Sequence, residues 1–165
     1  MKRVMIVGPS GAGKSEFSRR LKEILHLPLF HLDNLYWKKD GTHIARNEFD
    51  AKLNEVLDLE EWIVDGDYSR TYEARMESCD TIFFLDYPLE VCLAGAEERV
   101  GKEREDIPWK EDELDPEFRQ QIKDWFPKNR PLLLNLIHQY EKTKTIIVLR
   151  NREEGDAWLK AFSES

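Results

Sequence analysis

An octapeptide near the start of the chain constrains its fold more than any other feature. Residues 8–15 match the pattern G-x-x-x-x-G-K-[ST] at every specified position. An apolar run of strand length precedes them at Val4–Val7, and an amphipathic helical pattern with Phe17 and Leu21 on one face follows. A strand, a glycine-rich turn and a helix in this order predict a loop whose backbone N–H groups converge on phosphate oxygens.

The residue types of this loop fit a nucleoside triphosphate accompanied by a divalent cation. Lys14 supplies a mobile positive charge, and the hydroxyl of Ser15 is a ligand for Mg²⁺. We therefore predict ATP and Mg²⁺ as cofactors. The predicted nucleotide-binding residues of this segment are Gly8, Pro9, Ser10, Gly11, Ala12, Gly13, Lys14, Ser15 and Glu16.

Apolar runs of strand length recur along the chain, with helical patterns between them. The predicted strands are Val4–Val7, Leu27–Phe30, Trp62–Val64, Thr81–Leu85 and Thr145–Leu149. Strands that alternate with helices predict an α/β fold with a parallel sheet. The length of 165 residues, with 41% apolar positions, predicts one domain over residues 1–165.

Prolines and capping residues predict where several helices begin and end. Asn47 is the expected N-cap of one helix, and Pro88 suits the first turn of another that runs to about Gly101. Pro127 and Pro131 lie within a later helical pattern. Because proline lacks an N–H donor and clashes with the preceding turn, we expect these two to kink or break that helix.

Charge and composition exclude some functions. The net charge of −8 and the pI near 5.1 argue against a large contact with nucleic-acid phosphates. No apolar run approaches the roughly 20 residues that a membrane span needs. Cys79 and Cys92 form neither a C-x-x-C pair nor a zinc-ligand pattern, which favours a cytoplasmic protein. The sequence does not predict an oligomeric state.

A magnesium-bound nucleotide usually needs a carboxylate at the end of a neighbouring strand. Asp65 follows the apolar run Trp62–Val64 and precedes a glycine, and Asp86 follows Thr81–Leu85. Either carboxylate could instead belong to a turn at a strand end. We take Asp65 as the first choice for the carboxylate that orients the Mg²⁺ ion or its bound water.

Several further segments are distinctive beside the phosphate-binding loop. They are His31–Trp37, Trp62–Ser69, and Arg75 ahead of Cys79 and Asp80. Together these segments resemble the adenylate-kinase-like proteins called DNA topology modulation proteins, over nearly the whole chain. The resemblance implies a P-loop kinase fold: a five-stranded parallel sheet of order 2-3-1-4-5, helices on both faces and a small helical lid at about residues 99–118.

The same resemblance implies roles for two aspartates. It makes Asp65 the carboxylate on the Mg²⁺ side, as in the Asp-Gly of adenylate kinases. Asp33 is similar in placement to the acceptor-binding aspartate of shikimate kinases, although it could equally cap the helix or turn that follows. The chain lacks the Thr-Gly-Asp segment of adenylate kinases and a clear glycine triplet of shikimate kinases, so the acceptor stays open.

Cations near the migrating phosphoryl group are expected where similar proteins begin their lid. Arg99 and Arg104 are the predicted catalytic cations, with Lys102 beside them. They could instead be cations at a helix C-terminus that interact favourably with the negative end of the helix dipole. Arg119 and Lys123 are further candidates, because the segment between is acidic.

Further residues are predicted to contact the acceptor and the adenine. Arg46, Arg70 and Arg75 lie on segments that flank the expected acceptor cleft, where they would suit an anionic acceptor, although any one of them could simply be surface charge. Tyr68 could stack on a ring or, as is favoured, form the cleft wall. Arg150 follows the last strand, where similar kinases wrap adenine. For His31, a hydrogen-bonded histidine at a strand end is favoured over a proton shuttle.

The sequence thus predicts an ATP-dependent, Mg²⁺-dependent phosphotransferase that acts on a small acceptor, either a nucleoside monophosphate or a small metabolite. The alternative is a nucleotide-dependent regulatory protein linked to DNA topology. Slow ATP hydrolysis without any acceptor is a third and weaker interpretation.

Overall fold

Five parallel strands form one sheet in the computed structural model, which describes residues 1–100 and 114–165. The spatial order is β2-β3-β1-β4-β5. The strands are β1 (Arg3–Val7), β2 (Leu29–His31), β3 (Trp62–Asp65), β4 (Thr81–Leu85) and β5 (Thr145–Leu149). This order confirms the predicted fold class.

Helices connect these strands along the described chain. They are α1 (Lys14–Leu25), α2 (Leu32–Tyr36), α3 (Arg46–Leu57), α4 (Tyr72–Ser78), α5 (Leu89–Glu98), α6 (Pro116–Tyr140) and α7 (Arg152–Ser163), and a 3₁₀ turn at Ser69–Thr71 precedes α4. None of the helices within residues 1–100 and 114–165 is long and apolar enough to cross a membrane.

The central strands alternate their side chains between two apolar layers. Met5 and Val7 of β1 belong to a cluster on one face, and Val4 and Ile6 belong to a cluster on the other. All four side chains are fully buried. A parallel strand covered on both faces needs apolar residues throughout, which explains why β1, β3 and β4 are visible as continuous apolar runs.

Several boundary predictions differ from the structure. Strands β1 and β3 are each one residue longer than predicted, and β2 spans Leu29–His31 rather than Leu27–Phe30. Helix α3 begins at Arg46 after Ala45, without a side-chain cap, so Asn47 is not its N-cap. Helix α5 ends at Glu98, short of the predicted Gly101.

Helix α6 shows that packing can override two prolines. Pro127 and Pro131 lie inside this 25-residue helix, which continues through both, so of the two expected outcomes a break is wrong and a kink stays a prediction. Both prolines are exposed, while Trp125, Leu133 and Ile137 on the other side are buried. Burial of this apolar face stabilises the helix against the lost backbone hydrogen bonds.

Candidate nucleotide and acceptor site

The phosphate-binding loop connects β1 to α1 at the carboxyl edge of the sheet. In open parallel sheets, ligands bind at this edge, where neighbouring connections diverge. Gly13 caps α1 in a left-handed conformation, and Phe17 N donates to its carbonyl at 3.0 Å. Lys14 Nζ donates to Pro9 O at 2.9 Å, so the lysine reaches back over its own loop. The first amides of α1 and one ammonium therefore converge on one point.

Helix α5 packs directly on this loop. A Cβ at Gly95 would lie 2.2 Å from the carbonyl oxygen of Gly11, and a Cβ at Gly11 would lie 1.9 Å from the carbonyl oxygen of Cys92. Gly11 also has a φ of 84°, which side chains rarely adopt. The loop is thus held by backbone contact with α5, which needs glycine on both sides.

Replacing Gly95 by alanine should lower ATP affinity about tenfold or more, although alanine favours a helix by about 1 kcal/mol over glycine. The added methyl would push the loop from its place against α5. Isothermal titration calorimetry with ATP measures the effect, and Ala94→Ser on the exposed side of α5 is the matched control. Unchanged ATP affinity in Gly95→Ala would contradict the tight contact.

Several charged groups act on the ammonium of Lys14. Loss of water around this group lowers the pKa of Lys14, an effect that Asp67, Asp33 and Asp65 oppose and Arg99 reinforces. Three carboxylates from two different segments therefore surround the lysine of the loop. The structure brings together Lys14, Asp33, Asp65 and Arg99, all of which the sequence singled out.

Asp65 ends β3 and is buried beside α1. Its Oδ2 lies 2.5 Å from Ser18 Oγ and 2.7 Å from His31 Nδ1. Ser18 Oγ is also 2.9 Å from the carbonyl oxygen of Ser15, so Asp65 is linked to the helix that begins at the loop. His31 ends β2 and is buried, which agrees with the favoured interpretation of a hydrogen-bonded histidine at a strand end.

Ser15 and Asp65 fit a nucleotide-bound magnesium ion. Within residues 1–100 and 114–165, no three His, Cys, Asp or Glu side chains are arranged to hold a metal by themselves. Mg²⁺ in nucleotide sites keeps several waters and takes phosphate oxygens, with only one or two protein ligands. A hydroxyl at the start of α1 and a fixed carboxylate at the adjoining strand end meet this need.

Asp33 lies in the first turn of α2, whose N-cap is His31. Asp33 is therefore not the residue that caps this helix. The hydroxyl of Tyr68 donates to Asp33 Oδ1 at 2.5 Å. Burial and the neighbouring Asp33 carboxylate raise the pKa of Tyr68, so this phenol stays protonated and continues to donate. Tyr68 holds one oxygen of Asp33 in place.

Asp67 is a site residue that the sequence reasoning missed. It accepts hydrogen bonds from Tyr72 Oη, from Trp125 Nε1 at 2.9 Å and from Asn129 Nδ2 at 3.1 Å. It also lines a cleft of about 260 Å³ between the loop residue Ser10 and helix α6. A second acidic residue directly after Asp65-Gly66 was the available signal, whereas its partners on α6 follow about 60 residues later.

Two arginines predicted to bind an acceptor, Arg75 and Arg46, lie in different environments. Arg75 is fully buried and donates to Thr71 Oγ1 at 3.0 Å, to Gly66 O at 2.8 Å and to Asp67 O. Its guanidinium thus holds the loop after β3 and does not face an open cleft. Arg46 is exposed at the start of α3.

Asp86, the second candidate for the metal side, is occupied by an ion pair. Arg130 of α6 donates to both of its oxygens, at 2.9 and 2.8 Å. Such a two-point pair satisfies the carboxylate and fixes α6 to the end of β4. This placement favours Asp65 over Asp86.

A second cleft lies between α1 and α7. It is lined by Ala12, Gly13, Glu16, Tyr87, Arg152 and Gly155, among others. Arg150 is exposed, and its backbone N donates to Glu154 Oε2 at 2.7 Å. The structure therefore brings Arg152 to this cleft rather than Arg150.

The predicted lid is only partly described. Arg99 follows α5 as its C-cap residue, and Asp115 caps α6 through the backbone N of Glu117. Arg104 and Lys102 lie outside the described residues. Arg119 is on α6 and donates to Glu97, which joins α6 to the end of α5.

Solved structures similar to this chain include several kinases. A shikimate kinase from Acinetobacter baumannii in complex with shikimate is 17% identical, with a TM-score of 0.64 over 98% of this chain and 90% of its own. A gluconokinase from Sinorhizobium meliloti 1021 is 15% identical, with a TM-score of 0.58 over 99% and 94%. Deoxyadenosine kinase from M. mycoides with bound dATP is 12% identical, with a TM-score of 0.51 over 98% of both chains.

The chain thus has the P-loop NTPase fold of the kinase type. At these identities the likeness concerns the fold and not the substrate. No protein-family model matches the chain, and no curated protein matches it. The resemblance to DNA topology modulation proteins stays a prediction.

Proposed function

We propose that this protein is a Mg²⁺-dependent phosphotransferase that moves the γ-phosphoryl group of ATP to a small hydroxyl-bearing acceptor. The observation that carries the proposal is that Asp33 and Asp65, which follow or end neighbouring strands at the carboxyl edge of the sheet, both lie within electrostatic range of Lys14. Lys14 suits the phosphates, Asp65 the Mg²⁺ side and Asp33 the acceptor side. A P-loop that only holds a nucleotide has no need for a carboxylate on the acceptor side.

The nucleotide would lie across the loop with its base in the cleft between α1 and α7. Arg152 lines that cleft and offers a cation to a purine, while the buried Tyr87 forms part of the cleft wall. The phosphates would be held by the backbone of residues 8–15 and by Lys14, with Ser15 and Asp65 on the Mg²⁺ side. The ion would neutralise charge on the phosphate oxygens.

On the acceptor side, Asp33 would accept the proton of the attacking hydroxyl. The acceptor oxygen forms a bond to the γ-phosphorus as the bond to the bridging β–γ oxygen breaks, and ADP leaves. Tyr68 keeps Asp33 oriented through its hydrogen bond. Arg99 and Arg104 are the proposed cations for the migrating group, and Arg46 could contact the outer part of an acceptor.

The proposal is tested by measuring ADP release from Mg·ATP with a panel of acceptors. The panel holds nucleosides, nucleoside monophosphates, sugars and small hydroxy acids, with a sample that lacks any acceptor. We expect release to depend on one acceptor class and to fall about 100-fold or more in Asp33→Asn. Tight ATP binding without stimulation by any acceptor would favour the nucleotide-controlled regulatory protein instead.

A further inference from the structure

The carboxylate of Asp67 is held at the wall of the cleft between Ser10 and helix α6. Three donors fix it: the Tyr72 hydroxyl, the Trp125 indole and the Asn129 amide. Two of them engage Oδ1, and Asn129 engages Oδ2. A carboxylate has about four acceptor positions, so these bonds leave capacity for a donor from a ligand in the cleft.

Asp67 lies near Lys14 and the phosphate-binding loop. Among the carboxylates that act on Lys14, Asp67 has the largest effect. Its cleft includes Ser10 of the phosphate-binding loop and the α6 residues Gln121, Asp124 and Lys128. The neighbouring residue, Tyr68, donates to Asp33, so the two aspartates flank one tyrosine. A ligand in this cleft would therefore contact Asp67 beside Ser10 of the phosphate-binding loop.

Three arginines, Arg70, Arg75 and Arg130, are engaged elsewhere, whereas Arg46 is exposed at the start of α3. Arg75 is buried with its guanidinium on backbone carbonyls. Arg70 makes two bonds to Asp50, at 2.7 and 3.1 Å, and Arg130 makes two to Asp86. Lys128 shares the cleft with Asp124.

We infer that the acceptor is an uncharged polyhydroxyl molecule, a sugar, polyol or nucleoside, whose hydroxyls donate to Asp67 and Asp33. This inference rests on the proposed function and narrows its substrate class. An acceptor with a carboxylate or phosphate would place that charge against fixed carboxylates, while a hydroxyl group finds acceptors already oriented. The arrangement therefore selects against the anionic acceptors that the sequence first indicated.

The test uses matched acceptor pairs that differ in charge. ADP release is measured with the full chain and Mg·ATP for glucose against gluconate, glycerol against glycerate, and deoxyadenosine against deoxyadenosine monophosphate. We expect the uncharged member of the active pair to have a kcat/KM at least about tenfold higher. In Asp67→Asn, we expect the KM for that acceptor to rise about tenfold or more and the preference within the pair to shrink.

Trp125→Phe separates direct contact from a structural role. It removes one donor from Asp67 and keeps the charge, so the preference for the uncharged acceptor should persist. An equal loss of preference in both variants would overturn the contact with Asp67. Preference for the anionic member in the unaltered protein would overturn the inference but leave the phosphotransferase. Absence of stimulation by every acceptor, with ATP still bound, would overturn both.

Discussion

Replacing Lys14 by alanine should lower kcat/KM for acceptor-dependent ADP release by about 10²–10³-fold. The ammonium reaches over the loop to the carbonyl of Pro9, where it can follow the phosphate oxygens as charge moves during transfer. Its loss removes a preorganised cation from a partly dehydrated place, where its effect is greater than in water. Steady-state kinetics with a saturating acceptor measures the change.

Lys22→Ala is the matched control for this experiment. Lys22 is exposed in the last turn of the same helix, so the variant removes the same chemical group without touching the loop. We expect kinetics within about twofold of the unaltered protein and a similar unfolding midpoint for both variants. If Lys14→Ala retained full turnover, the loop would not be the phosphate site of a phosphotransferase.

Replacing Arg75 by leucine should lower the free energy of unfolding by about 2–5 kcal/mol. The guanidinium is fully buried and donates to the carbonyls of Gly66 and Asp67 and to Thr71 Oγ1. Removal of the guanidinium leaves these buried acceptors without donors, and each unpaired acceptor lowers the free energy of unfolding by about 1–3 kcal/mol. Urea unfolding followed by tryptophan fluorescence measures the loss as a shift of the midpoint.

Arg70→Leu is the control for Arg75→Leu. Arg70 pairs with Asp50 at the surface, and exposed pairs contribute about 0–1 kcal/mol. We also expect Arg75→Leu to weaken acceptor use, because the loop it holds carries Asp67 and Tyr68. A variant that kept its stability but lost affinity only for an anionic acceptor would show instead that Arg75 binds substrate, as the sequence first indicated.

Local patterns allowed much of the fold and part of the site to be predicted. The bounds of β4 and β5 follow from apolar runs, because a buried strand needs apolar side chains on both faces. The loop at residues 8–15 is recognisable because its glycines and lysine must be close in sequence to surround a phosphate. Asp65 was predicted because it follows an apolar run, and Asp33 because its placement is similar to that of the acceptor-binding aspartate of shikimate kinases; parallel strands end at the same edge of the sheet, which is where both residues lie.

The tertiary structure alone decided which groups support these residues. Asp67 meets Trp125 and Asn129, Asp86 meets Arg130, and α5 meets the loop at Gly11, all through contacts between distant parts of the chain. Such pairings depend on how helices pack on the sheet, and one sequence contains no periodic signal for them.

The predictions for the two prolines of α6 and for Arg75 were corrected for the same reason, the packing of the folded chain. Pro127 and Pro131 remain inside α6 because an apolar face buried against the core outweighs their local cost. Arg75 serves the loop after β3 because the fold encloses its side chain among backbone carbonyls. The sequence by itself determined the glycine-rich loop between β1 and α1, where we propose that phosphate binds, since that pattern is local. Packing decided which charges remain for an acceptor, since burial and partners are properties of the folded chain.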